Sequence, residues 1–308
     1  MNAATAARVW EAIQTLNFVP STLARNLRMK STQTIGVLSD YAGNPFFSEV
    51  VAGIEEVCFQ RNYSVFVSFS ELNVEKEAES FLNLERRGVE GLIWHAVDND
   101  ETVAELLQKS SKPVVMFQRY LDSWNHDALV TDDTAGGQMV MRHLLDLGHR
   151  RIALITGDTF SSNVSRLREV SYRSALNSAG VEVNPAWIRN GKYTYEGAYA
   201  ATKALLTLEP APTAFFCISD RMALGCLSAI QDAGLFVPRD VSLVGYDNLE
   251  LLSYVRPRLT TVDHGGRESG RRMAQRLLDR ITTPNLGIER LQVEPTLQVR
   301  ETTGPAPL

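Results

Sequence analysis

Hydrophobic and polar positions follow two different periods along the chain, and the two periods alternate. Short and nearly continuous apolar runs, such as Ile35–Leu38, are typical of strands buried on both faces. Longer stretches in which apolar residues recur about every three or four positions, such as Phe47–Val57, predict helices. Between these two examples, the Gly, Asn and Pro residues within Tyr41–Pro45 predict a turn.

The same two patterns recur down to the C-terminus. Predicted strands are Val65–Phe69, Gly91–Trp94, Pro113–Phe117, Ala128–Val130, Ile152–Ile155, Ala214–Cys217, Val241–Val244, Leu259–Val262, Leu291–Val293 and Leu297–Val299. Predicted helices are Val74–Arg87, one that includes Val103–Leu107, Thr134–Leu147, Val164–Ala179, Ala198–Leu206, Met222–Ala233 and Gly270–Ile281. This alternation predicts an α/β protein with two doubly wound parallel-sheet lobes.

The segment after Val244 is too short to build a third lobe. Its elements are therefore expected to complete the first two lobes, with the chain crossing between them more than once. Open parallel sheets bind ligands outside the carboxyl ends of their strands, so the sequence predicts a binding site in a cleft between the lobes.

The first 33 residues do not continue the alternation. They predict a helix from Thr5 to Leu16 with one apolar stripe, and a shorter helix from Ser21 to Leu27. Four basic residues and one acidic residue occur in this arm, whereas the whole chain has a formal net charge of −5. A basic arm on an acidic body suits an anionic partner, although an excess of this size is also typical of a solvated helix face.

Composition narrows the class of protein. The 308 residues are 44% hydrophobic, enough for sizeable cores, and neither a membrane span nor a secretory leader is expected, which predicts a cytoplasmic protein. Cys58, Cys217 and Cys226 lack metal or redox spacing and are expected to be buried thiols. The chain contains no GxGxxG, GxxxxGK[ST], GxSxG or HExxH motif, so we expect neither an enzyme nor a cofactor.

A series of motifs extends from one end of the chain to the other. They are RVWEAIQTLNFVPSTLARNLRMKSTQTIGVLSD from Arg8, NPFF from Asn44, GHRRIALITG from Gly148, PTAFFCISDRMALG from Pro212, VPRDVSLVGYDN from Val237, PRLTTV from Pro257 and VEPTLQVRETT from Val293. In content and order they resemble the LacI/GalR family of bacterial transcription regulators. The resemblance implies a periplasmic-binding-protein-like body of type I with a small effector between its lobes. It also implies a DNA-binding headpiece and a homodimer on a near-palindromic operator.

The resemblance also implies where the chain divides. The expected parts are a partial headpiece and hinge helix at 1–33 and an effector-binding and dimerisation domain at 34–308, with lobe 1 at about 34–132 plus 264–290 and lobe 2 at about 133–263 plus 291–308. The helix from Thr5 resembles the third helix of the headpiece, while the first two helices have no counterpart. A start codon assigned too late and a genuine truncation would each explain this difference, and both explanations stay open.

The N-terminal arm carries the expected DNA contacts. In this family the paired hinge helices enter the minor groove, where a leucine wedges between two base pairs. By resemblance Leu27 is that leucine, Arg25 and Arg28 contact phosphates or groove edges, and Ser21 or Thr22 lies near a phosphate. The residues alone favour another interpretation, in which Leu27 packs on the body and the arginines are solvated.

The resemblance implies an effector site as well. Phe46 and Phe47, beside Asn44, are expected to form a stacking surface for a sugar-like ligand, and Arg168 and Asp247 are expected to bind its polar groups. Without the resemblance, the aromatic pair is more typical of a core, and Asp247 is equally suited to cap the next helix. Further positions that match the family's pocket are Gln118, Arg119, Tyr193, Ser219 and His264.

Three polar residues near this pocket carry separate expectations. Gln118 stands where sugar-binding relatives commonly have Asp, and an amide donates as well as accepts, so the ligand preference is expected to differ. His264 could make binding sensitive to pH, although a lone histidine after a strand is usually a satisfied loop residue. Asp220 is expected to cap the helix that begins at Met222.

The sequence therefore predicts an effector-responsive transcriptional regulator, a repressor, that binds operator DNA as a homodimer. Effector binding would shift the population of lobe arrangements and so change the separation of the hinge helices. The expected partners are operator DNA, a small sugar or related polar metabolite and a second copy of the chain, without a membrane. The alternative is a cytoplasmic ligand-binding dimer that lacks operator recognition.

Overall fold

The computed structural model describes residues 31–41, 43–71, 73–96, 100–119, 125–157 and 163–307, together with the helical residues Thr5, Arg8, Glu11 and Thr15. The residues expected to contact DNA lie outside this described part; they are Ser21, Thr22, Arg25, Leu27 and Arg28.

Six parallel strands form the sheet of the first lobe. With strands numbered in chain order over the whole protein, they are β1 (Thr34–Ser39), β2 (Ser64–Phe69), β3 (Leu92–Trp94), β4 (Val114–Phe117), β5 (Asp127–Thr131) and β11 (Arg290–Val293). They lie side by side in the order β11-β5-β4-β3-β1-β2. The helices of this lobe are α1 (Pro45–Gln60), α2 (Val74–Arg86), α3 (Asp100–Lys109) and α8 (Gly266–Thr282).

Helices cover both faces of this sheet. Neighbouring residues of a strand point to opposite faces, and the apolar side chains on each face are buried by helices. Ile35 and Val37 of β1 pack in the apolar core that includes α1 and α8, whereas Leu38 packs in the core formed with α2 and α3. Helices α1 and α8 approach closely at two glycines. A Cβ atom on Gly53 would lie 2.0 Å from a backbone oxygen of α8, and one on Gly270 would lie 2.0 Å from a backbone oxygen of α1.

The second lobe repeats this architecture with one antiparallel edge strand. Its strands are β6 (Ile152–Thr156), β7 (Ile188–Asn190), β8 (Ala214–Cys217), β9 (Ser242–Tyr246), β10 (Thr260–Asp263) and β12 (Thr296–Gln298), in the order β12-β10-β9-β8-β6-β7. Only the pairing of β10 with β12, among those described, is antiparallel. Its helices are α4 (Asp133–Asp146), α5 (Asn163–Ser178), α6 (Tyr195–Leu206) and α7 (Asp220–Asp232), with short 3-10 turns at Pro185–Trp187 and Glu250–Ser253. The predicted pair of doubly wound parallel-sheet lobes is confirmed.

The chain crosses between the lobes after β5, after β10 and after β11. Strand β11 stays in the first sheet as far as Val293, and β12 begins in the second sheet at Thr296. The last crossing therefore lies at 294–295, and the expected boundary at 290 was three residues too early. The reason is that β11 and β12 are two short strands with a similar apolar pattern, so the pattern does not tell which sheet each one joins.

Within the described part of the chain, no helix is long and apolar enough to span a membrane. The same residues contain no group of three or more His, Cys, Asp or Glu side chains placed to hold a metal ion. Cys58, Cys217 and Cys226 are free and buried, as predicted. Burial raises the pKa of the Cys58 thiol to about 12, so this side chain behaves as a small apolar group.

Candidate functional site

Side chains of both lobes meet where parallel strands end and the chain crosses between the lobes. Gln118 follows β4 and Thr131 ends β5 in the first lobe, Asp247 follows β9 in the second, and His264 follows β10 at the second crossing. Because ligands of open parallel sheets bind outside the carboxyl ends of the strands, this cluster is the candidate ligand site.

Phe46 supplies an aromatic surface that joins the two lobes. The side chain of Asn44 caps α1 by accepting a hydrogen bond from the backbone N–H of Phe46 at 3.2 Å, which fixes where the helix begins. The Phe46 ring stacks on His264, with the ring centroids 4.1 Å apart and the planes inclined by 13°. Phe47 points elsewhere, toward His95 within the first lobe, with 6.5 Å between ring centroids.

Arg168 is held rigidly in the second lobe. Its Nε and Nη2 atoms donate to Oδ1 of Asp133 at 2.9 and 2.6 Å, and its Nη1 atom donates to the carbonyl oxygen of Ile218 at 2.5 Å. The guanidinium carbon lies 3.4 Å from the ring centroid of Tyr246. Burial lowers the pKa of Arg168, but the neighbouring groups Asp133, Tyr246, Asp247 and Tyr193, of which Asp133 has the largest effect, together raise it by more, so the side chain stays charged.

A short series of hydrogen bonds connects Gln118 in the first lobe with this arginine. The Gln118 side-chain oxygen accepts from the backbone N–H and from the hydroxyl of Thr131, each at 3.1 Å. The Thr131 hydroxyl also lies 3.3 Å from Oδ2 of Asp133, the residue that pairs with Arg168. The first crossing between the lobes therefore carries a series of polar contacts.

Asp247 and His264 form a second link at the next crossing. His264 is 2% exposed, and its Nε2 atom lies 3.1 Å from Oδ1 of Asp247. Its Nδ1 atom is buried and has no hydrogen-bond partner among the described residues. Asp247 does not cap the turn at Glu250–Ser253, whose N-cap is Leu249 without a side-chain hydrogen bond. The capping interpretation of Asp247 is therefore wrong, and its carboxylate is left for the cleft.

Strained backbone conformations are concentrated around these side chains. Gln118, Lys192, Tyr193, Asp247 and Asn248 all have positive φ angles, of 59°, 55°, 54°, 123° and 55° respectively. Each follows the end of a strand that points at the cleft, namely β4, β7 or β9. Because such conformations are costly for residues other than glycine and cluster at binding sites, their placement supports this region as the candidate ligand site.

Ser219, not Asp220, caps the helix α7. Ser219 has an extended backbone and caps α7 by accepting from the N–H of Met222 at 3.2 Å, so the prediction that Asp220 is the cap is wrong. Asp220 instead lies inside the helix and accepts from the Thr261 hydroxyl at 2.6 Å and from the N–H of Leu249 at 2.9 Å. Burial, followed by the nearby Asp247 charge, raises the pKa of Asp220 well above its usual value.

The remaining predicted positions, Tyr193 and Arg119, lie in different lobes. The Tyr193 hydroxyl is 2.6 Å from the Ser165 hydroxyl at the start of α5, so it helps to position that helix. Arg119 follows Gln118 in the first lobe, and its Nη1 atom donates to the carbonyl oxygen of Ala96 at 3.4 Å. Both side chains are therefore partly engaged within their own lobes.

The structure adds a titratable pair that sequence reasoning missed. Asp40 follows β1 and His95 follows β3, and their side chains are 3.5 Å apart. Burial raises the pKa of Asp40 and lowers that of His95. The attraction between the two, with hydrogen bonds from Ser39 and Tyr41 to Asp40 and the charge of Glu77 near His95, outweighs burial, so the pKa of Asp40 is lowered and that of His95 is raised. Their positions directly after predicted strands were the signal that could have found them.

A second missed feature connects the lobes at the rim of the cleft. The guanidinium carbon of Arg221, near the start of α7, lies 5.1 Å from the ring centroid of Tyr41 in the first lobe and 5.0 Å from that of Tyr195 in the second. Its Nε atom is buried without a hydrogen-bond partner among the described residues. The contact is a cation–π interaction across the two lobes.

Comparison with known proteins gives relatives that match along most of the chain. A repressor from Aliivibrio salmonicida, the HTH-type transcriptional repressor PurR, is 36% identical over 279 residues, which are 90% of this chain and 84% of the relative. The ribose operon repressor of Haemophilus influenzae is 34% identical over 294 residues, which are 96% of this chain and 88% of the relative.

Solved structures agree with these relatives. A LacI family transcriptional regulator from Enterococcus faecium with bound ribose superposes with a TM-score of 0.80 at 31% identity and covers 89% of this chain and 100% of that one. The lac repressor dimer bound to operator and the anti-inducer ONPF superposes with a TM-score of 0.83 at 29% identity. The match covers 93% of this chain and 99% of the lac repressor chain.

Fold and site together define a two-lobed ligand-binding protein, and a family model for a periplasmic binding protein-like domain matches residues 141–303. With the relatives above, the chain belongs to the LacI/GalR family of transcription regulators. Members of this family are ligand-responsive repressors rather than enzymes, which confirms the expectation that this protein is not an enzyme.

Proposed function

We propose that this protein is a cytoplasmic transcriptional repressor that binds operator DNA as a homodimer and responds to a sugar-like effector held between its lobes. The observation that carries the proposal is the meeting of Phe46, Arg168, Asp247 and His264 at the carboxyl ends of the strands, with contributions from both lobes. An aromatic face beside charged hydrogen-bonding groups is the combination that sugar rings and their hydroxyls need.

Each predicted pocket residue receives a role in this proposal. Phe46 stacks on the sugar ring, Asp247 accepts from hydroxyls, and the N–H groups of Arg168 that its internal hydrogen bonds leave over donate to the ligand. Asn44 and Ser219 act through the helices that they cap. The other pocket residues in the proposal are Phe47, Gln118, Arg119, Tyr193 and His264, and we add Asp40 and His95, whose side chains are 3.5 Å apart.

Ribose is the effector to test first. One relative is named a ribose operon repressor, and one similar structure contains bound ribose. Titration calorimetry with d-ribose should show binding to the wild-type chain and a loss of at least about tenfold for Asp247→Asn, because a charged hydrogen bond becomes a neutral one. Asp240→Asn is the matched control, since Asp240 pairs only with Arg239 and Phe236 on the surface of the second lobe. Equal losses in the two variants would remove Asp247 from the site.

The homodimer is supported by apolar side chains that a single subunit leaves exposed. Phe59 at the end of α1 is 76% exposed, Phe66 of β2 is 44% exposed, and Tyr254 of the second lobe is 73% exposed. A similar structure is described as a dimer bound to operator. Sedimentation should give a dimer, and Phe59→Glu together with Tyr254→Glu should give a monomer with unchanged circular dichroism.

Operator binding is tested by a mobility shift with DNA from upstream of the protein's own gene. The assay compares this chain with one extended in frame toward the preceding start codon, each with and without d-ribose. Specific binding by either form supports a repressor. If neither form of the protein binds the DNA but the protein binds d-ribose, it is a ligand-binding dimer without operator recognition.

A further inference from the structure

The carboxylate of Glu90 holds the segment through which the N-terminal arm enters the first lobe. Its Oε1 atom accepts from the Ser31 hydroxyl at 2.6 Å and from the backbone N–H groups of Thr32 and Gln33 at 2.6 and 2.8 Å. Its Oε2 atom accepts from the Tyr63 hydroxyl at 2.9 Å. One side chain therefore fixes three consecutive residues immediately before β1, and we call this set of contacts the Glu90 clasp.

Neighbouring hydrogen bonds complete the attachment. The Thr32 hydroxyl donates to the carbonyl oxygen of Gly88 at 2.7 Å, and the N–H of Ser64 donates to the carbonyl oxygen of Gln33 at 2.8 Å. Gln33 has a positive φ angle of 48°, a conformation that costs free energy and so needs surrounding contacts to hold it. Segment 31–33 is thus attached to both chain segments that flank it in the sheet.

The position of Glu90 relates the arm to the ligand site. Glu90 lies just before β3 and His95 just after it, while the clasped segment lies just before β1 and Asp40 just after it. Strands β1 and β3 are hydrogen-bonded neighbours in parallel register from Gly36 and Leu92 onward. Two paired strands therefore extend from the clasp to the cleft, over roughly 17 Å at the usual rise per residue.

We propose that Glu90 is a positioning residue for the regulatory response: it ties the arm to β1 and β3, so that a displacement of the first lobe on effector binding becomes a displacement of the arm. This inference rests on the proposed function. A segment held by several bonds to one rigid lobe moves with that lobe, whereas a segment without those bonds averages over orientations and loses the signal.

The charge of Glu90 strengthens the clasp. Burial raises the pKa of this carboxyl group, but the hydrogen bonds from Ser31, Gln33, Tyr63 and Thr32 lower it by more, and the net direction is downward. The carboxylate is therefore ionised at neutral pH, and its bonds to N–H and O–H groups are of the stronger, charge-assisted kind. A neutral replacement of the same shape weakens each of them.

The test measures coupling rather than binding alone. Calorimetry measures the d-ribose affinity of the wild type, Glu90→Gln and Glu90→Ala. Each of the three is prepared both as this chain and as the form extended in frame. Operator affinity is measured with and without d-ribose. We expect the d-ribose Kd to stay within about twofold, while the ratio of operator Kd values with and without d-ribose falls from the usual range of about 5–150 toward one.

Two further variants separate the clasp from a general loss of stability. Glu85→Ala removes another carboxylate of the same lobe, which lies on α2 and accepts from the hydroxyl of Ser110 just after α3, and should leave the ratio of operator Kd values unchanged. Tyr63→Phe removes one clasp hydrogen bond without touching Glu90 and should reduce the ratio partially. Deuterium exchange of the peptide spanning 31–36 should be faster in both Glu90 variants, with or without d-ribose.

The outcomes distinguish this inference from the proposed function. A wild-type protein that binds neither d-ribose nor operator refutes the proposed repressor with ribose as its effector, and the clasp loses its regulatory role with it. A wild-type protein that responds, together with Glu90 variants that respond equally, overturns the inference and leaves the proposed function standing. The inference is also overturned if the ratio of operator Kd values falls as much in Glu85→Ala as in Glu90→Ala, because the effect would then come from a general loss of stability.

Discussion

The buried ion pair between Arg168 and Asp133 allows a quantitative test of the site. The two side chains are 4% and 2% exposed, and Nη2 lies 2.6 Å from Oδ1. Removing one partner of such a pair leaves an uncompensated buried charge, which costs about 3–5 kcal/mol. Arg168→Met and Asp133→Asn are the two perturbations, and each should lower the free energy of unfolding of the second lobe.

The structure places both losses near the lower end of that range. In Arg168→Met, the Asp133 carboxylate keeps the Thr131 hydroxyl at 3.3 Å and lies in the first turn of α4, where the helix dipole contributes about 0.3–1 kcal/mol. In Asp133→Asn, the guanidinium keeps the Ile218 carbonyl and the ring of Tyr246 at 3.4 Å. We therefore expect about 3 kcal/mol for each single variant. The double variant should lose clearly less than the sum, since it leaves no unpaired charge.

Urea unfolding followed by circular dichroism measures these losses, with each lobe's transition fitted separately if the curve is not two-state. Arg173→Met is the matched control, because Arg173 pairs with Glu169 on the same helix but is 42% exposed. That surface pair should contribute about 0.3–0.5 kcal/mol. If Arg168→Met costs no more than Arg173→Met, or if the two single losses add fully in the double variant, the assignment of a coupled buried pair is refuted.

Three further predictions concern other parts of the chain. Because the pKa of Asp40 is lowered and that of His95 is raised, their pair stabilises the fold fully between the ordinary values of 3.8 and 6.5 and less as the pH rises through the raised pKa of His95. The difference in melting temperature between wild type and His95→Gln should therefore be largest near about pH 5 and shrink in alkaline buffer; a constant difference would contradict the pairing. Burial lowers the pKa of His149, so the unfolded chain takes up its proton first as the pH falls below 6.5, and wild type should lose more stability on acidification than His149→Gln. Gly53→Ala should cost about 1–3 kcal/mol in chemical denaturation, because its Cβ would meet the α8 backbone, whereas Gly287→Ala, with nothing within 4 Å, should be close to neutral.

Most of the fold follows from apolar periodicity, because short apolar runs and amphipathic helices alternate regularly along the chain. The exceptions are instructive. Strand β7 (Ile188–Asn190) was not predicted, since Ile188 is the one apolar residue among its three and gives no apolar run. Ser219 and Asp220 are both good helix caps, and only the extended backbone of Ser219, with φ −151° and ψ 152°, decides between them.

The candidate site was less predictable than the fold. Phe46, Arg168, Asp247 and His264 were named from motifs, but Asp133, the partner of Arg168, was not, because it lies 35 positions away on another helix. An ion pair between residues on two different helices leaves no local pattern. Motifs therefore named the candidate residues, while the structure shows which of their hydrogen-bonding atoms are already used.

Gln118 shows what that difference means for ligand preference. Its side-chain oxygen accepts from the backbone N–H of Thr131, and since a backbone N–H can only donate, the amide orientation is fixed. The group left for a ligand is therefore the NH2 donor, at a position where sugar-binding relatives commonly offer an acceptor-only carboxylate. In the proposed site, an effector hydroxyl would meet a donor rather than an acceptor at Gln118, whereas a ring or carbonyl oxygen on the effector would gain a donor. Under this proposal we expect the first lobe to favour an acceptor atom on the effector and Asp247 in the second lobe to favour a donor.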